Sequence, residues 1–332
     1  MSKEEKSRID VVQLDGLVLM KIIKHCSENL QEPVTGQLLG LDVDGRLEVT
    51  DSFPLPYASS ESSEEENAGV CTTSSSLFTA YQIEMMKTLR SLNVDANMAG
   101  WYQSALSADY FTVPTLCWQH DNQKTLENSV VVVYDPTRSL NGKLAVKAYR
   151  LTDTFMKLLA DDDHSHTKFA RHSLESSDLF EEISIKVHNS HLVHGFLYEL
   201  REEKSMSVDF DRLELSSSIL LERNLEALGS GIEDYIAEQQ KFQFWQRQVA
   251  RQKQQQQAYQ QKRDEENESK RNAGQTEVQE DLSKNPLFKA IPAPSRLETF
   301  LSQHQMGVLC NQLTTVSTAG INKSYLADAV KQ

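Results

Sequence analysis

The sequence has few cysteines, no long hydrophobic run and fewer basic than acidic residues. Its 332 residues include four cysteines without any Cys-x-x-Cys pair, so neither a disulfide framework nor a thiolate zinc knuckle is indicated. The best apolar run, 16–23, contains Lys21 and is far shorter than the roughly 20 residues of a membrane span. The first ten residues are charged and polar, which is not typical of a signal peptide. We therefore expect a reduced, soluble, cytoplasmic protein without a membrane partner.

The charge balance excludes a protein whose whole surface wraps nucleic acid. The chain has 34 basic and 48 acidic residues, which gives a formal net charge of −14. A polyanion would be repelled by most of such a surface, so any contact with nucleic acid must be local. The length suggests two structural units.

Strand and helix signals alternate over 9–152 and predict a mixed α/β domain. A short strand over 10–14 precedes an apolar helix that Asp15 is suited to cap. Asp44-Gly45 predicts a hairpin between 38–43 and 46–55, because both residues tolerate a positive φ. The segment 59–66 has four acidic residues and no apolar one, which predicts a solvated, disordered loop.

The second half of the chain is predicted to be largely helical. After a connecting α/β region over 153–212, a long helix is expected over 213–271, then a linker over 272–294 and a C-terminal helix over 295–330. Apolar side chains that step by three and four residues predict two interaction surfaces: Leu221, Leu225, Leu228, Ile232 and Tyr235 on the long helix, and Leu309, Leu313 and Val316 on the last one. We expect the first set to pack on other chains. The α/β core would then end before it, so that a chain ending near Asp211 folds.

The later part of the long helix is rich in glutamine and basic residues. Twelve glutamines lie within 239–261, and 241–271 contains eight basic and four acidic residues. Such a polar helix cannot bury one face in its own core. A solvated extension is the favoured interpretation, and a weak contact with ribosomal RNA is the alternative.

The run Gly100-Trp101-Tyr102-Gln103-Ser104-Ala105 resembles the signature of the MPN/JAMM family. Active members of that family bind zinc through two histidines and an aspartate, and an upstream glutamate activates the zinc-bound water. On this chain those positions, together with a serine of the signature, carry residues that cannot do this chemistry: Pro33 for the glutamate (with Glu32 one residue out of register), Gln103 and Ala105 for the histidines, Val113 for the serine and Leu116 for the aspartate. The resemblance therefore implies an MPN fold, with a mixed sheet flanked by helices, that has no metal, no cofactor and no peptidase activity.

Two histidine groups offer weaker metal candidates. His164 and His166 form a His-x-His pair, but the serine and aspartate of the signature do not follow at the family's spacing, so a surface loop is favoured. His188, His191 and His194 are three residues apart, without nearby acidic residues to orient them as metal ligands. We expect these to be surface histidines.

A wider resemblance covers nearly the whole chain. The runs VTGQLLGLDVDGRLEVTDSFPLP from Val34, FEEISIKVHNSHLV from Phe180 and NPLFKAIPAPSRLE from Asn285 are similar to the H subunits of eukaryotic translation initiation factor 3. This resemblance implies a non-catalytic scaffold subunit that supports preinitiation-complex assembly on the small ribosomal subunit. The implied partners are the F subunit, which is the other one with an MPN domain, and PCI-domain subunits. The alternatives are a non-catalytic MPN subunit of the proteasome lid or COP9 signalosome and, from the enzyme class, a zinc isopeptidase.

Overall fold

The computed structural model describes residues 8–30, 33–56, 76–92, 97–105, 110–139, 144–159, 175–203, 218–272, 289 and 291–331. The predicted loop 59–66, the pair His164 and His166, and Glu32 lie outside these residues. Most of the predicted linker 272–294 lies outside them as well.

Seven strands form a closed barrel in the order β1-β3-β2-β4-β5-β6-β7. The neighbours β1 and β3, β1 and β7, and β4 and β5 are parallel, and the other pairs are antiparallel. The strands are β1 (Val11–Asp15), β2 (Thr35–Val43), β3 (Arg46–Pro54), β4 (Met98–Ser104), β5 (Val130–Tyr134), β6 (Val146–Leu151) and β7 (Phe180–His188).

Helices surround this barrel and make up the C-terminal part of the chain, so the predicted mixed α/β architecture with a helical extension is confirmed. A 3₁₀ turn over Ser176–Asp178 precedes β7. The helices are α1 (Gly16–Glu28), α2 (Ser76–Ser91), α3 (Val113–Thr125), α4 (Pro136–Ser139), α5 (Asp153–Leu159), α6 (His191–Glu203), α7 (Ser218–Asn272) and α8 (Leu297–Lys331). None of the helices in the described ranges is long and apolar enough to cross a membrane.

The hairpin of β2 and β3 forms as predicted. Asp44 and Gly45 have φ values of 49° and 78°, the conformation that a tight two-residue hairpin turn requires. Strand β5 is buried along its whole length, because its two faces point into different hydrophobic clusters. Val130 and Val132 pack with Ile22 of α1, whereas Val131 and Val133 pack with Trp101.

The predicted role of Asp15 as a helix cap is wrong. Asp15 occupies the N-cap position of α1, but its side chain makes no capping hydrogen bond. The residue is also the last of β1, where it pairs with His188 of β7. Its Oδ1 lies 3.5 Å from His188 Nδ1, so the carboxylate is directed to the neighbouring strand instead.

The sheet continues beyond residue 152, where the sequence suggested the end of the first domain. Strand β7 pairs with both β1 and β6 and thereby closes the barrel. The region expected to connect two units thus supplies an integral strand, and Phe155, Leu158 and Phe180 are buried with Trp101.

Helices α7 and α8 pack against each other along an antiparallel hairpin. The Arg296 guanidinium lies 4.3 Å from the centre of the Phe242 ring, and a Cβ added to Gly231 would lie 3.6 Å from Met306. Leu297, Leu301 and Leu309 of α8 are buried in the same cluster as Trp101. The premise that the α/β core ends before the long helix is therefore wrong, because α8 supplies part of that core.

The cysteines differ in state. Cys26 and Cys310 are free thiols, whereas Cys117 is disulfide-bonded, so the expectation of a fully reduced chain is wrong for Cys117. Burial raises the pKa of the Cys26 thiol to about 12, which leaves it protonated and unreactive at neutral pH.

Candidate functional site

Gln103 lies near the end of β4, where the MPN signature places its first histidine. Its side chain is buried, and its Oε1 accepts a hydrogen bond from Thr115 Oγ1 at 3.2 Å. Thr115 Oγ1 also lies 2.9 Å from Thr112 Oγ1, at the N-terminus of α3. The glutamine amide therefore belongs to a hydrogen-bond network that joins β4 to α3.

Ala105 and Leu116, at two of the family's ligand positions, are fully buried in the apolar cluster around Trp101. Ala105 is fixed by its backbone, because its N–H donates to the Tyr134 carbonyl oxygen at 2.8 Å. Leu116 lies on α3, whose first residue, Val113, packs against the same cluster. Neither a methyl nor an isobutyl group can coordinate a cation.

The remaining position of the signature is also altered. Pro33 is exposed just before β2, and the adjacent Val34 N–H donates to Ser104 Oγ at 2.8 Å. Zinc needs nitrogen, sulfur or oxygen ligands at about 2.0–2.3 Å, and the side chains at these positions do not fit that requirement. Within the described ranges, no group of three His, Cys, Asp or Glu side chains could hold a metal ion. His188, His191 and His194 are accordingly not brought together, and His188 lies instead beside Asp15.

The tyrosine of the signature, Tyr102, points to the opposite side of β4. Its hydroxyl lies 3.0 Å from His25 Nδ1, and burial raises the pKa of the phenol while it lowers the pKa of His25. Gly36 on β2 makes this packing possible, because a Cβ there would lie 2.2 Å from the Tyr102 ring. Burial thus favours the neutral form of both side chains.

A cavity of about 300 Å³ lies between the barrel and the two long helices. Ala105, Val133 and Tyr110 contribute from the barrel side, and Leu220 and Val316 contribute from α7 and α8. Much of its wall is therefore made by the C-terminal helices. The region of the family's metal site is thus covered by this chain's own α8.

The residues predicted to meet other subunits fall into two groups. Leu221, Leu228 and Tyr235 are half-buried on the face of α7 that packs on α8, together with Asn224 and Gly231. Leu225 and Ile232 remain 52% and 43% exposed on another face. The set predicted to form one interaction surface on α7 therefore forms two rows, and α8 packs on one of them.

The predicted surface of α8 is partly internal. Leu309 has no exposed area and packs in the cluster around Trp101, so its assignment to a contact with another subunit is corrected. Leu313 and Val316 are half-buried, and Val316 lines the cavity.

Two exposed apolar surfaces were missed in the sequence. On α7, Ile236 is 48% exposed and extends the row of Leu225 and Ile232. On α6, six large apolar side chains are at least 40% exposed: Leu192, Val193, Phe196, Leu197, Tyr198 and Leu200. The signal was present in both helices, because each has more apolar positions than one helix face can hold.

Comparison with known proteins agrees with this architecture. Residues 7–128 match the family described as JAB1/Mov34/MPN/PAD-1 ubiquitin protease, and residues 139–332 match the C-terminal region of eIF3h. A relative from Arabidopsis thaliana, named as the H subunit of eukaryotic translation initiation factor 3, is 42% identical over 96% of this chain and 92% of its own length. This chain belongs to the family of H subunits of eukaryotic translation initiation factor 3.

Further members of this family have similar coverage. Those from Nematostella vectensis and Dictyostelium discoideum are each 37% identical over 98% of this chain, and the matches span 95% and 96% of their own lengths. The resemblance inferred from the sequence is thus confirmed, as is an MPN domain followed by a C-terminal helical region.

Proposed function

We propose that this chain is a non-catalytic scaffold subunit of translation initiation factor 3 in the cytoplasm, and that it supports preinitiation-complex assembly on the small ribosomal subunit. Family membership supports the complex, and the replaced ligands at Gln103, Ala105 and Leu116 support the absence of isopeptidase activity. The observation that supports the scaffold role is the apolar surface that α6 and α7 leave exposed, on a chain whose metal-ligand positions hold other residues.

The first assembly surface is a row on α7 that we call the outer stripe: Leu225, Gly229, Ile232 and Ile236. These residues step by four, three and four, so they share one face of the helix. A Cβ added to Gly229 would have nothing within 4 Å among the described atoms, so a helix could approach the backbone closely there. The apolar spacing and the glycine fit an α-helix of another subunit, and we assign the stripe to a PCI-domain subunit.

The second surface is formed by α6 and the start of α1. Leu192 is 88% and Phe196 61% exposed on α6, and Leu17 and Met20 are 55% and 59% exposed on α1. The two helices begin near each other, because Gly16 packs against Asn189. Exposed large apolar side chains on two helices that begin near each other favour a protein interface, and we assign it to the F subunit, the other one with an MPN domain.

Replacing Leu225 and Ile232 with aspartate tests the first surface. We expect the tagged variant to lose co-purification of PCI-domain subunits, because two charges would enter a buried helix interface, while its circular dichroism spectrum and thermal unfolding stay native. Ser230→Asp with Ala237→Asp is the matched control, because these exposed residues have the same seven-residue spacing on another face of α7. Normal assembly of the Leu225/Ile232 variant, or recovery of proteasome-lid or signalosome subunits with the native chain, would refute the assignment.

A further inference from the structure

The charge of α7 is unevenly distributed along the helix. Residues 239–263 include six basic side chains and no acidic one, in a molecule with a formal net charge of −14. The remainder of the chain therefore carries a formal charge of −20, from −14 minus +6. Positive charge without acidic neighbours in the sequence is thus concentrated on this stretch of α7.

Three basic side chains of this stretch lie away from the packed face of α7. Phe242, Trp245 and Val249 are half-buried on one side, and Gln252 Nε2 on that side donates to the Lys289 carbonyl oxygen at 2.6 Å. Arg247, Arg251 and Lys262 share the opposite side, because they are four and eleven residues apart. Lys253 is also exposed, but at 100° per residue it lies about 120° around the helix from Arg247, at the flank of the packed side. We call Arg247, Arg251 and Lys262 the basic face.

The basic face is free to meet a ligand. Arg247, Arg251 and Lys262 are all exposed, and none of them forms an ion pair with another residue in the described parts of the chain. Lys241 differs, because its ammonium is bound to Glu238 in the preceding turn. Three uncompensated positive charges thus extend over about 22 Å of helix at 1.5 Å per residue.

The surroundings of these charges distinguish a nucleic acid from a protein partner. A helix that docks on α7 needs apolar side chains on the same face, as in the outer stripe. Beyond Phe244, the basic face has only alanine and glutamine between its charges. Glutamine amides can donate hydrogen bonds to phosphate oxygens without adding charge. Attraction without buried apolar area is typical of binding to a phosphate backbone.

We propose that the basic face of α7 binds the phosphate backbone of RNA without reading its sequence. The choice of RNA over DNA rests on the proposed function in translation initiation. A single strand at about 3.4 Å per negative charge places about six phosphates along the 22 Å of this face. The contact is electrostatic and therefore depends strongly on salt concentration.

The test is fluorescence anisotropy of the purified full chain with a labelled single-stranded RNA of random sequence, measured from 50 to 200 mM salt. Three phosphate contacts predict a log–log slope of about −2.1, which means about 20-fold weaker binding across that range. The variant Arg247→Gln, Arg251→Gln, Lys262→Gln should lose this salt-dependent binding. Glutamine keeps the helix propensity and the local composition. The control Arg46→Gln, Arg90→Gln, Lys124→Gln removes the same charge from exposed residues elsewhere and should bind as the native chain does.

Three results would overturn the proposal. They are no binding by the native chain at 50 mM salt, an unchanged slope in the α7 variant, or an equal loss in the control variant. If poly-glutamate at equal charge displaces the RNA as well as unlabelled RNA does, the face is a site for an acidic protein, and the assignment to RNA is wrong. Because the assay uses the isolated chain, its failure is independent of the co-purification that tests the scaffold function.

Discussion

Gln103 Oε1 accepts a hydrogen bond from Thr115 Oγ1 at 3.2 Å, at the position where the MPN signature has its first histidine. The amide oxygen is therefore satisfied by the protein itself. The ligand positions at Ala105 and Leu116 belong to the apolar core. The change is therefore not the loss of a single ligand that one substitution would restore.

We accordingly predict that the purified chain holds no stoichiometric zinc and that Gln103→His does not create a site. A single imidazole without two further ligands cannot bind zinc tightly. The variant Gln103→His/Ala105→His should also lose about 1–3 kcal/mol of unfolding free energy, because a polar imidazole would replace a fully buried methyl group in an apolar cluster. Elemental analysis and urea unfolding measure the two effects, with Gln103→Ala as the control. One tightly held zinc per chain in the single variant would contradict the prediction.

Leu309 and Leu326 allow the contribution of α8 to the core to be measured within one helix. Leu309 is fully buried, whereas Leu326 is 67% exposed. We expect Leu309→Ala to lower the free energy of unfolding by about 2–5 kcal/mol, because it leaves a cavity in the core. Leu326→Ala should change it by no more than about 0.5 kcal/mol. Urea denaturation of the two variants checks this, and equal effects would mean that α8 does not stabilise the barrel.

The same packing reverses the expectation for a shortened chain. A chain ending near Asp211 lacks Leu297, Leu301 and Leu309, so it would expose the cluster around Trp101. We expect such a chain to aggregate or to unfold at lower urea concentration than the full chain.

Local features of the barrel could be predicted from the sequence. Asp44-Gly45 predicted the hairpin because few residue pairs accept two positive φ values, and the valines over 130–133 predicted a buried strand because no polar group interrupts them. The family signature indicated which ligand positions are altered. Each of these inferences depends on residues close together in the chain.

The packing of α8 on α7 could not be predicted from the sequence in the same way. The period of Leu221, Leu228 and Tyr235 indicates a packed face, but it does not say whether the partner is in the same chain. Asn224 and Gly231 complete that face, but a polar residue and a glycine do not contribute to a hydrophobic pattern. The more apolar Leu225 and Ile232 were therefore assigned to the same row, although they point elsewhere.

His304 packs α8 against the barrel and is expected to make this packing depend on pH. Its Nδ1 lies 2.7 Å from the Ser176 carbonyl oxygen, and its ring packs edge-on against Phe111. Burial lowers the pKa of His304, and this effect outweighs the backbone hydrogen bond, which raises it. The unfolded chain therefore binds the proton more readily, so stability is complete above the ordinary histidine pKa of about 6.5 and is lost as the pH falls from that value through the lower pKa of the folded chain.

We predict that the free energy of unfolding of the native chain falls between pH 7.5 and pH 5.5 by more than that of His304→Gln, which cannot take up the proton. Urea denaturation at a series of pH values measures the difference. His191→Gln replaces an exposed histidine and serves as the control, and its profile should follow the native one. Parallel profiles for the native chain and His304→Gln would show that this imidazole does not contribute to the pH dependence.

Leu192 and Phe196 on α6 are one turn apart and largely exposed to solvent in the isolated chain. We predict that Leu192→Asp with Phe196→Asp leaves the free energy of unfolding within about 0.5 kcal/mol of the native value, because neither side chain is buried. The same variant should lose at least tenfold in affinity for the MPN partner, since two charges replace apolar anchors and cost more than about 1.4 kcal/mol of binding free energy. Co-expression with the F subunit, then affinity capture and titration, measures the loss. His191→Asp with His194→Asp adds two acidic residues to the same helix at exposed polar positions and should retain the partner. If both variants bind the F subunit equally well, α6 does not form the MPN interface, and its exposed apolar side chains must serve another partner.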